Sequence, residues 1–130
     1  MRLALYQMED RGEPRLNIGA AASAIRSCSA EFICLPEFFA LPAEVPDVSE
    51  GHRASEEALG ALESASRAFG GYVIGGSLVE REGDKYYNTC YVLRGGELVA
   101  KYRKMRPTEA ELRAGISPGD RPCVFETEYC

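Results

Sequence analysis

Glu37 stands where a carboxylate could carry out acid–base chemistry. It follows the apolar run 32–35 and Pro36, and it precedes Phe38 and Phe39. A short apolar run of this kind is typical of a buried strand, and α/β sheets bind ligands outside the carboxyl ends of their strands. A carboxylate held among apolar neighbours takes up a proton more readily than one in water, so Glu37 is suited to act as a general base. The alternative is a glutamate that opens a surface loop and points into water.

Lys104 is the second candidate, at the end of the segment 101–104, which carries three basic residues. Strand alternation predicts that Lys104 continues an apolar face, while Lys101 and Arg103 point outward. The residues predicted to share that face are Leu98, Ala100, Tyr102 and Lys104. A lysine in this place could stabilise a developing oxyanion, and Glu109 or Glu111 could pair with it. The alternative is a solvated basic cluster at a strand end, followed by a helical turn with glutamates on its surface.

The cysteines and the single histidine do not form a pattern that indicates a metal site. The number of cysteines is odd, their spacing is irregular and no CxxC pair occurs, which argues against a zinc ribbon or a disulfide framework. His52 cannot build a multi-histidine site alone, and we interpret it as a solvated residue in a loop or at a helix start. Neither glycine pair, 70–71 or 75–76, belongs to a GxGxxG motif. We predict no metal and no cofactor. The five cysteines are Cys28, Cys34, Cys90, Cys123 and Cys130.

Composition restricts the class of protein. The chain has 130 residues, enough for one domain and no second, with 45% hydrophobic and 27% charged residues and a formal net charge of −5. This balance is typical of a globular protein and argues against nucleic acid or an anionic membrane as a partner. No apolar run reaches the roughly 18 residues of a membrane span, and the N-terminus lacks the layout of a signal peptide. We therefore predict a cytoplasmic location.

Hydrophobic periodicity predicts the elements that must position the candidate residues. Short apolar runs indicate buried strands, helical spacing indicates helices, and alternation with period two indicates the later strands. This order predicts an α/β fold with a mixed sheet and helices packed on it. Because the chain stops directly after a predicted strand, we expect the fold to be incomplete. The predicted elements are strand 3–6, helix 16–27, strand 32–35, helix 54–69, strands 72–80, 86–93 and 98–102, a helical turn within 107–120 and the start of a strand at 123–127.

Five short segments, in a fixed order, carry a resemblance to a known family. They are LPEFF at 35–39, YYNT at 86–89, GELVAKYRK at 96–104, PTEAE at 107–111 and SPGD at 117–120. In this order they resemble the glutamate motif, the strand before the lysine hairpin, the lysine motif, the P-T-x-x-E segment and the Pro-Gly-Asp loop of the nitrilase superfamily of carbon–nitrogen hydrolases. The resemblance covers nearly the whole of residues 1–130 and implies the N-terminal part of the family's α-β-β-α sandwich.

The resemblance also implies roles for three residues. Glu37 matches the family's general base, Lys104 its catalytic lysine and Glu111 its second, positioning glutamate. The implied reaction is hydrolysis of a small amide or nitrile through a cysteine thiol. At Arg106 many members have a histidine, and this departure leaves the substrate class open.

The nucleophilic cysteine of the family lies on a strand that would follow this sequence. Cys130 matches the residue before that strand, so we do not predict that it is the nucleophile. The chain alone is therefore expected to be inactive. Two interpretations remain open, the N-terminal portion of a hydrolase or a short nitrilase-like binding or assembly module. Because much of the family's sheet would be missing from this chain, we predict an exposed apolar sheet and an unpaired edge, and hence a homo-oligomer or poor solubility.

Overall fold

The structure is a computed structural model that describes residues 1–42 and 47–129. The strand–helix–strand–helix beginning and the antiparallel strands after it follow the predicted order. The elements are β1 (Leu3–Leu5), α1 (Pro14–Ser27), β2 (Phe32–Cys34), α2 (Val48–Phe69), β3 (Tyr72–Ile74), β4 (Leu78–Glu82), β5 (Lys85–Arg94), β6 (Glu97–Arg103) and α3 (Glu109–Arg113).

The six strands form one mixed sheet. β1, β2 and β3 are parallel, as strands joined through the crossover helices α1 and α2 must be. β3, β4 and β6 each pair with β5 in antiparallel fashion. The predicted mixed sheet with packed helices is therefore confirmed.

Both long helices pack on one face of the sheet, which we call the helix face. The apolar residues of α1 and α2 recur at helical spacing, so one stripe of each helix meets the strands. Burial of these side chains is the main favourable contribution to folding. Residues at the centre of this core are Ile18, Ala21, Ile25, Ile33, Ala58, Leu62, Ala65, Val73, Leu78 and Leu93.

The opposite face of the sheet, which we call the open face, has no helix packed on it among the described residues. Phe32, Tyr72 and Val92 form a small cluster there, and Phe125 packs against it from the C-terminal segment. Leu5 pairs with Cys34 of β2 and is 76% exposed. The open face is thus only partly covered.

Ionic contacts hold the C-terminal segment on the open face. Glu128 accepts hydrogen bonds from the Tyr72 hydroxyl and from Arg94 Nη1, each at 2.7 Å. The Arg94 guanidinium also lies over the Tyr72 ring, 4.6 Å from its centroid. The segment 123–127 does not form the predicted strand; it follows the open face without joining the sheet.

The segment 72–80, predicted as one strand, forms two. β3 ends at Ile74 and β4 begins at Leu78, and both pair with β5 at different places along it. Gly76 lies between them with φ +62°, a left-handed conformation that strands do not use. Alternation could not reveal this break, because apolar residues occur on both sides of the glycine.

Two further boundaries differ from the prediction. α2 begins at Val48 rather than Ala54, because Asp47 caps the helix by accepting a hydrogen bond from the Ser49 N–H. It ends as predicted, with Gly70 in the left-handed conformation at φ +76°. α1 begins at Pro14, where proline suits the first helical position.

The predicted shared face of β6 is wrong at Leu98. Leu98 pairs with Leu93, a residue of the helix-face core, whereas Ala100 pairs with Val92 on the open face. A β-bulge at Val99 separates the two pairings, and a bulge shifts the alternation by one residue. From Ala100 onward the alternation holds.

Candidate active site

Glu37 lies in the loop after β2, at the carboxyl end of the parallel strands, as predicted. The next residue, Phe38, has φ +49°, which is unusual for a residue with a side chain. Its N–H donates to Ser77 Oγ at 3.1 Å, and the Leu35 N–H donates to the Ile74 carbonyl at 2.9 Å. Contacts with the β3–β4 connection therefore fix the loop that carries Glu37.

Lys104 follows the last residue of β6 on the open face. Its backbone N–H donates to the Asn88 carbonyl at 2.8 Å, and its carbonyl accepts from the Gly119 N–H at 2.9 Å. The Pro-Gly-Asp loop thus supports the backbone of the lysine, while β5 sets its register.

Glu111 is the third residue of α3, and a capping box fixes its side chain. Thr108 caps the helix with its hydroxyl, which accepts from the Glu111 N–H. The Thr108 N–H donates in return to Glu111 Oε2 at 2.6 Å. The P-T-x-x-E segment therefore has a local physical role, because it turns this carboxylate back toward the sheet.

The three predicted residues meet in one cluster. Lys104 Nζ lies 2.8 Å from Glu37 Oε1 and 2.9 Å from Glu111 Oε2. Asn88 Nδ2 lies between the same carboxylates, 2.7 Å from Glu37 Oε1 and 2.6 Å from Glu111 Oε1. The two carboxylates therefore share one ammonium and one amide. Glu109, the other glutamate that could pair with Lys104, contacts Arg113 instead.

The hydrogen bonds of the cluster decide its charge state. Burial alone would raise the pKa of Glu111, but donors from Thr108, Asn88 and Lys104 outweigh it and lower this pKa to about 2. Burial alone would lower the pKa of Lys104, but its bonds to the two glutamates outweigh it and raise the pKa. Lys104 is therefore held as a cation and Glu111 as an anion.

Glu37 is more open to solvent than its apolar neighbours suggested. Its side chain is 55% exposed, compared with 12% for Glu111. The expected enclosure by the phenylalanines is not found, because Phe39 turns into the core instead. Two cavities adjoin the glutamate, one of about 460 Å³ lined by Phe38 and Ile116, and one of about 360 Å³ on the open face.

Comparison with a family model decides the classification. A model described as carbon-nitrogen hydrolase matches residues 2–130. The chain belongs to the carbon–nitrogen hydrolase family. The resemblance carried by the five segments is therefore confirmed, and the match covers all five.

Curated relatives of this carbon–nitrogen hydrolase family chain are amidases by name. The omega-amidase NIT2 of Bos taurus is 33% identical over 144 residues, which cover 99% of this chain and 51% of the relative. The omega-amidase NIT2 of Danio rerio is 30% identical with the same coverage. The chain spans about half the length of the curated relatives it matches.

Solved structures of an amidase from Nesterenkonia sp. AN1 have the same fold. One matches with a TM-score of 0.83 at 25% identity, covering 98% of this chain and 53% of the amidase. A variant of that amidase with its cysteine replaced by alanine, in complex with butyramide, matches with a TM-score of 0.79 at 26% identity over 94% of this chain and 49% of the amidase. The amidase is assigned to the nitrilase superfamily.

Two of the described thiols of this hydrolase-family chain, Cys90 and Cys34, are poorly suited to nucleophilic attack. Cys90 lines the cavity on the open face together with Glu37 and Lys104, but burial raises its pKa to about 11. Burial also raises the pKa of Cys34. A thiol with a raised pKa is rarely present as the reactive thiolate. Cys130 lies outside the described residues.

The single histidine has a structural role. His52 lies in the second turn of α2, with its Nδ1 3.0 Å from the Val79 carbonyl oxygen. A carbonyl only accepts, so Nδ1 carries a proton. The side chain is 22% exposed, so the expected solvated position is wrong, although the expected placement near a helix start is right.

No helix of the described residues is long and apolar enough to cross a membrane.

Asn88 is the residue of the cluster that sequence reasoning missed. In the sequence it is part of the YYNT segment, where the family resemblance implies no chemical role for it. The sequence carries a signal for this role, because a buried asparagine in a strand of apolar residues needs hydrogen-bond partners and so indicates polar groups nearby.

Proposed function

We propose that this chain provides the glutamate, the lysine and the second glutamate of an amidase active site, with Glu37, Lys104 and Glu111 in these roles. The observation that carries the proposal is the lysine ammonium shared by two carboxylates at the carboxyl ends of the parallel strands. The amidase relatives and the Nesterenkonia amidase support a small amide as the substrate. The nucleophile in this proposal is a cysteine in sequence that follows residue 130.

Thiol acylation is the proposed reaction. Glu37 accepts the proton of the cysteine, and the thiolate attacks the carbonyl carbon of the amide. Lys104 stabilises the negative oxygen of the tetrahedral intermediate. The carbon–nitrogen bond then breaks while Glu37 returns the proton to the leaving ammonia or amine. Water, deprotonated by Glu37, attacks the thioester and releases the acid and the thiol.

The different surroundings of the two glutamates support this division of roles. Both carboxylate oxygens of Glu111 accept hydrogen bonds, and its low pKa makes it a poor proton acceptor. Glu37 accepts hydrogen bonds at Oε1, and within the described part of the chain Oε2 accepts none. Glu37 therefore has a free oxygen next to a cavity, and Glu111 has none.

Covalent chemistry in a relative supports the thiol. A glutamate-to-glutamine variant of the Nesterenkonia amidase carries the acetamide moiety of fluoroacetamide on its active-site cysteine, at 25% identity to this chain. A similar cysteine on a following strand would approach the cluster from the open face, where the cavity of about 360 Å³ lies.

Ammonia release from a panel of small amides and nitriles tests the proposal. The 130-residue chain is compared with a version that continues through the sequence after residue 130. We expect activity only in the longer protein, and its loss in Glu37→Gln and in Lys104→Ala. Lys101→Ala and Glu109→Gln are matched controls, because these residues pair with Glu80 and Arg113 outside the cluster.

Other outcomes contradict the proposal in different ways. Activity of the 130-residue chain alone contradicts a nucleophile in the following sequence. Activity that survives Lys104→Ala contradicts the role of the lysine. Inactivity of both proteins on the whole panel favours the alternative of a nitrilase-like binding or assembly module.

A further inference from the structure

Asn88 contacts every member of the cluster. Its side-chain amide donates to Glu37 and Glu111, and its backbone carbonyl accepts from the Lys104 N–H. It lies in the middle of β5, next to Thr89, and is only 2% exposed. One residue of a central strand thus contacts two side chains and the backbone of a third residue, which come from three different parts of the chain.

The chemistry of the neighbours determines the orientation of the amide. Ionised carboxylate oxygens only accept hydrogen bonds, so the NH2 group must face them and the carbonyl oxygen must face away. An NH2 group has two protons, and here each has its own carboxylate, at 2.7 Å and 2.6 Å. Bonds of this kind to an ionised acceptor are stronger than bonds between neutral groups.

We propose that Asn88 is a positioning residue of this site, whose amide holds Glu37 and Glu111 on either side of Lys104 and leaves Oε2 of Glu37 as the oxygen that accepts the proton. This role rests on the function proposed above. Asn88 and Lys104 both donate to Oε1 of Glu37, so the same carboxylate oxygen is occupied twice. A lysine can swing about its four-carbon side chain, whereas an asparagine anchored in a strand cannot. The amide therefore supplies the geometric constraint and the lysine supplies the charge.

A neutral amide suits this place better than a second cation. With Glu37 and Glu111 ionised and Lys104 charged, the cluster has a net charge of −1, which becomes zero when Glu37 takes up a proton. A second lysine would neutralise the pair in advance and weaken Glu37 as a base. An aspartate would add a third negative charge. Asparagine holds both carboxylates without changing the charge.

Titration of the glutamate carboxyl groups in the 130-residue chain, followed by carbon-13 NMR, tests this role without any turnover. In Asn88→Ala, Glu111 loses one of its donors. We expect its titration midpoint to move up from about 2 by about one pH unit, a tenfold change in proton affinity. An unchanged midpoint in a folded variant would overturn the proposal.

Asn17→Ala is the matched control. Asn17 is another buried asparagine, 1% exposed, and its amide also donates to a carboxylate, that of Asp10, at 2.9 Å. It contacts neither glutamate of the cluster. We expect its variant to lose stability while the Glu111 midpoint stays in place. A similar shift in both variants would mean that loosening of the fold, not loss of the amide, causes it.

Wild-type protein provides a second measurement if Asn88→Ala does not fold. The two side-chain amide protons of Asn88 should shift downfield as Glu111 ionises, with a midpoint that coincides with the Glu111 carboxyl titration. Amide protons that do not respond between pH 2 and 5 would contradict the two hydrogen bonds, and with them the proposal.

In the longer protein the variant should separate positioning from binding. We expect Asn88→Ala to reduce kcat by about 100-fold, the order of loss that follows a small displacement of catalytic groups, and to change KM little. A raised KM with an unchanged kcat would contradict the role. If the longer protein is inactive but the titration shifts as expected, the proposed function fails and the contact of Asn88 with both glutamates still holds.

Discussion

At the level of single residues, Glu80 and Glu111 are the described carboxylates with the most strongly lowered pKa values. Glu111 belongs to the candidate active site. Glu80, on the helix face, accepts from Thr89, Lys101 and Arg103. Burial alone would raise the pKa of Glu80, but these bonds outweigh it and lower the pKa to about 2. Because folding lowers the pKa of both glutamates, protonation of either one destabilises the folded state.

We predict that the chain loses stability as the pH falls from about 4.5 to about 2. The ordinary pKa is 4.5 and the folded value is about 2 for both groups. A pKa lowered by folding stabilises the folded state fully above the unfolded value, and this contribution disappears as the pH falls through the folded value. Urea denaturation at pH 6, 4 and 3 measures the loss.

The variants Glu80→Gln and Glu111→Gln identify the groups responsible. Each removes one titrating carboxylate, so each should be less stable at pH 6 and should lose less stability on acidification than wild type. A pH dependence that is unchanged in both variants would assign the acid sensitivity to other carboxylates.

At the level of elements, the connection between β3 and β4 decides where Glu37 lies. A Cβ atom on Gly76 would lie 2.0 Å from the Pro36 carbonyl oxygen, a distance that no side chain tolerates. The glycine therefore allows the two loops to touch, and Ser77 then accepts the hydrogen bond from Phe38. A glycine in this place is a requirement of the site as well as of the turn.

We predict that Gly76→Ala destabilises the chain more than Gly83→Ala. Both glycines have φ near +60°, but a Cβ atom on Gly83 meets nothing within 4 Å. The backbone conformation should cost about 1–2 kcal/mol in each variant, and only Gly76→Ala has the clash in addition. Thermal denaturation measures the difference, and amide chemical shifts of residues 36–38 report any displacement. Equal losses would mean that the loop moves away at no cost.

At the level of the whole molecule, the open face is the feature with the largest consequence. Leu3 and Leu5 are 60% and 76% exposed on edge strand β1, and their partners Phe32 and Cys34 lie on that face. Exposed apolar residues on an edge strand favour association with another sheet edge. These exposed residues support the oligomer expected from the sequence, and both its existence and its size stay predictions.

We predict that Leu5→Lys weakens self-association of the 130-residue chain, whereas Leu16→Lys does not. Leu16 is also exposed, at 53%, but it lies on α1 away from the open face. Light scattering across a concentration series measures the mass of each variant. A monomeric wild-type chain, or an equal effect of both substitutions, would contradict association through the open face.

The sequence alone determined the class of the fold and the identity of three members of the cluster. Periodicity is a local property, so the helices, most strands and the hairpin order could be predicted from it. The order of the five segments was sufficient to place Glu37, Lys104 and Glu111 in a family. The start of α2 was missed because the signal came from a single capping residue, Asp47.

Features that arise from contact between two segments distant in the sequence were decided only by the tertiary structure. The break at Gly76 follows from its contact with Pro36, forty positions earlier. The shared ammonium and the role of Asn88 follow from the meeting of β2, β5 and the segment after β6. The exposure of Glu37 depends on where Phe38 and Phe39 turn, which neighbouring residue types do not specify. Such contacts are set by packing between elements, and a local sequence pattern does not specify them.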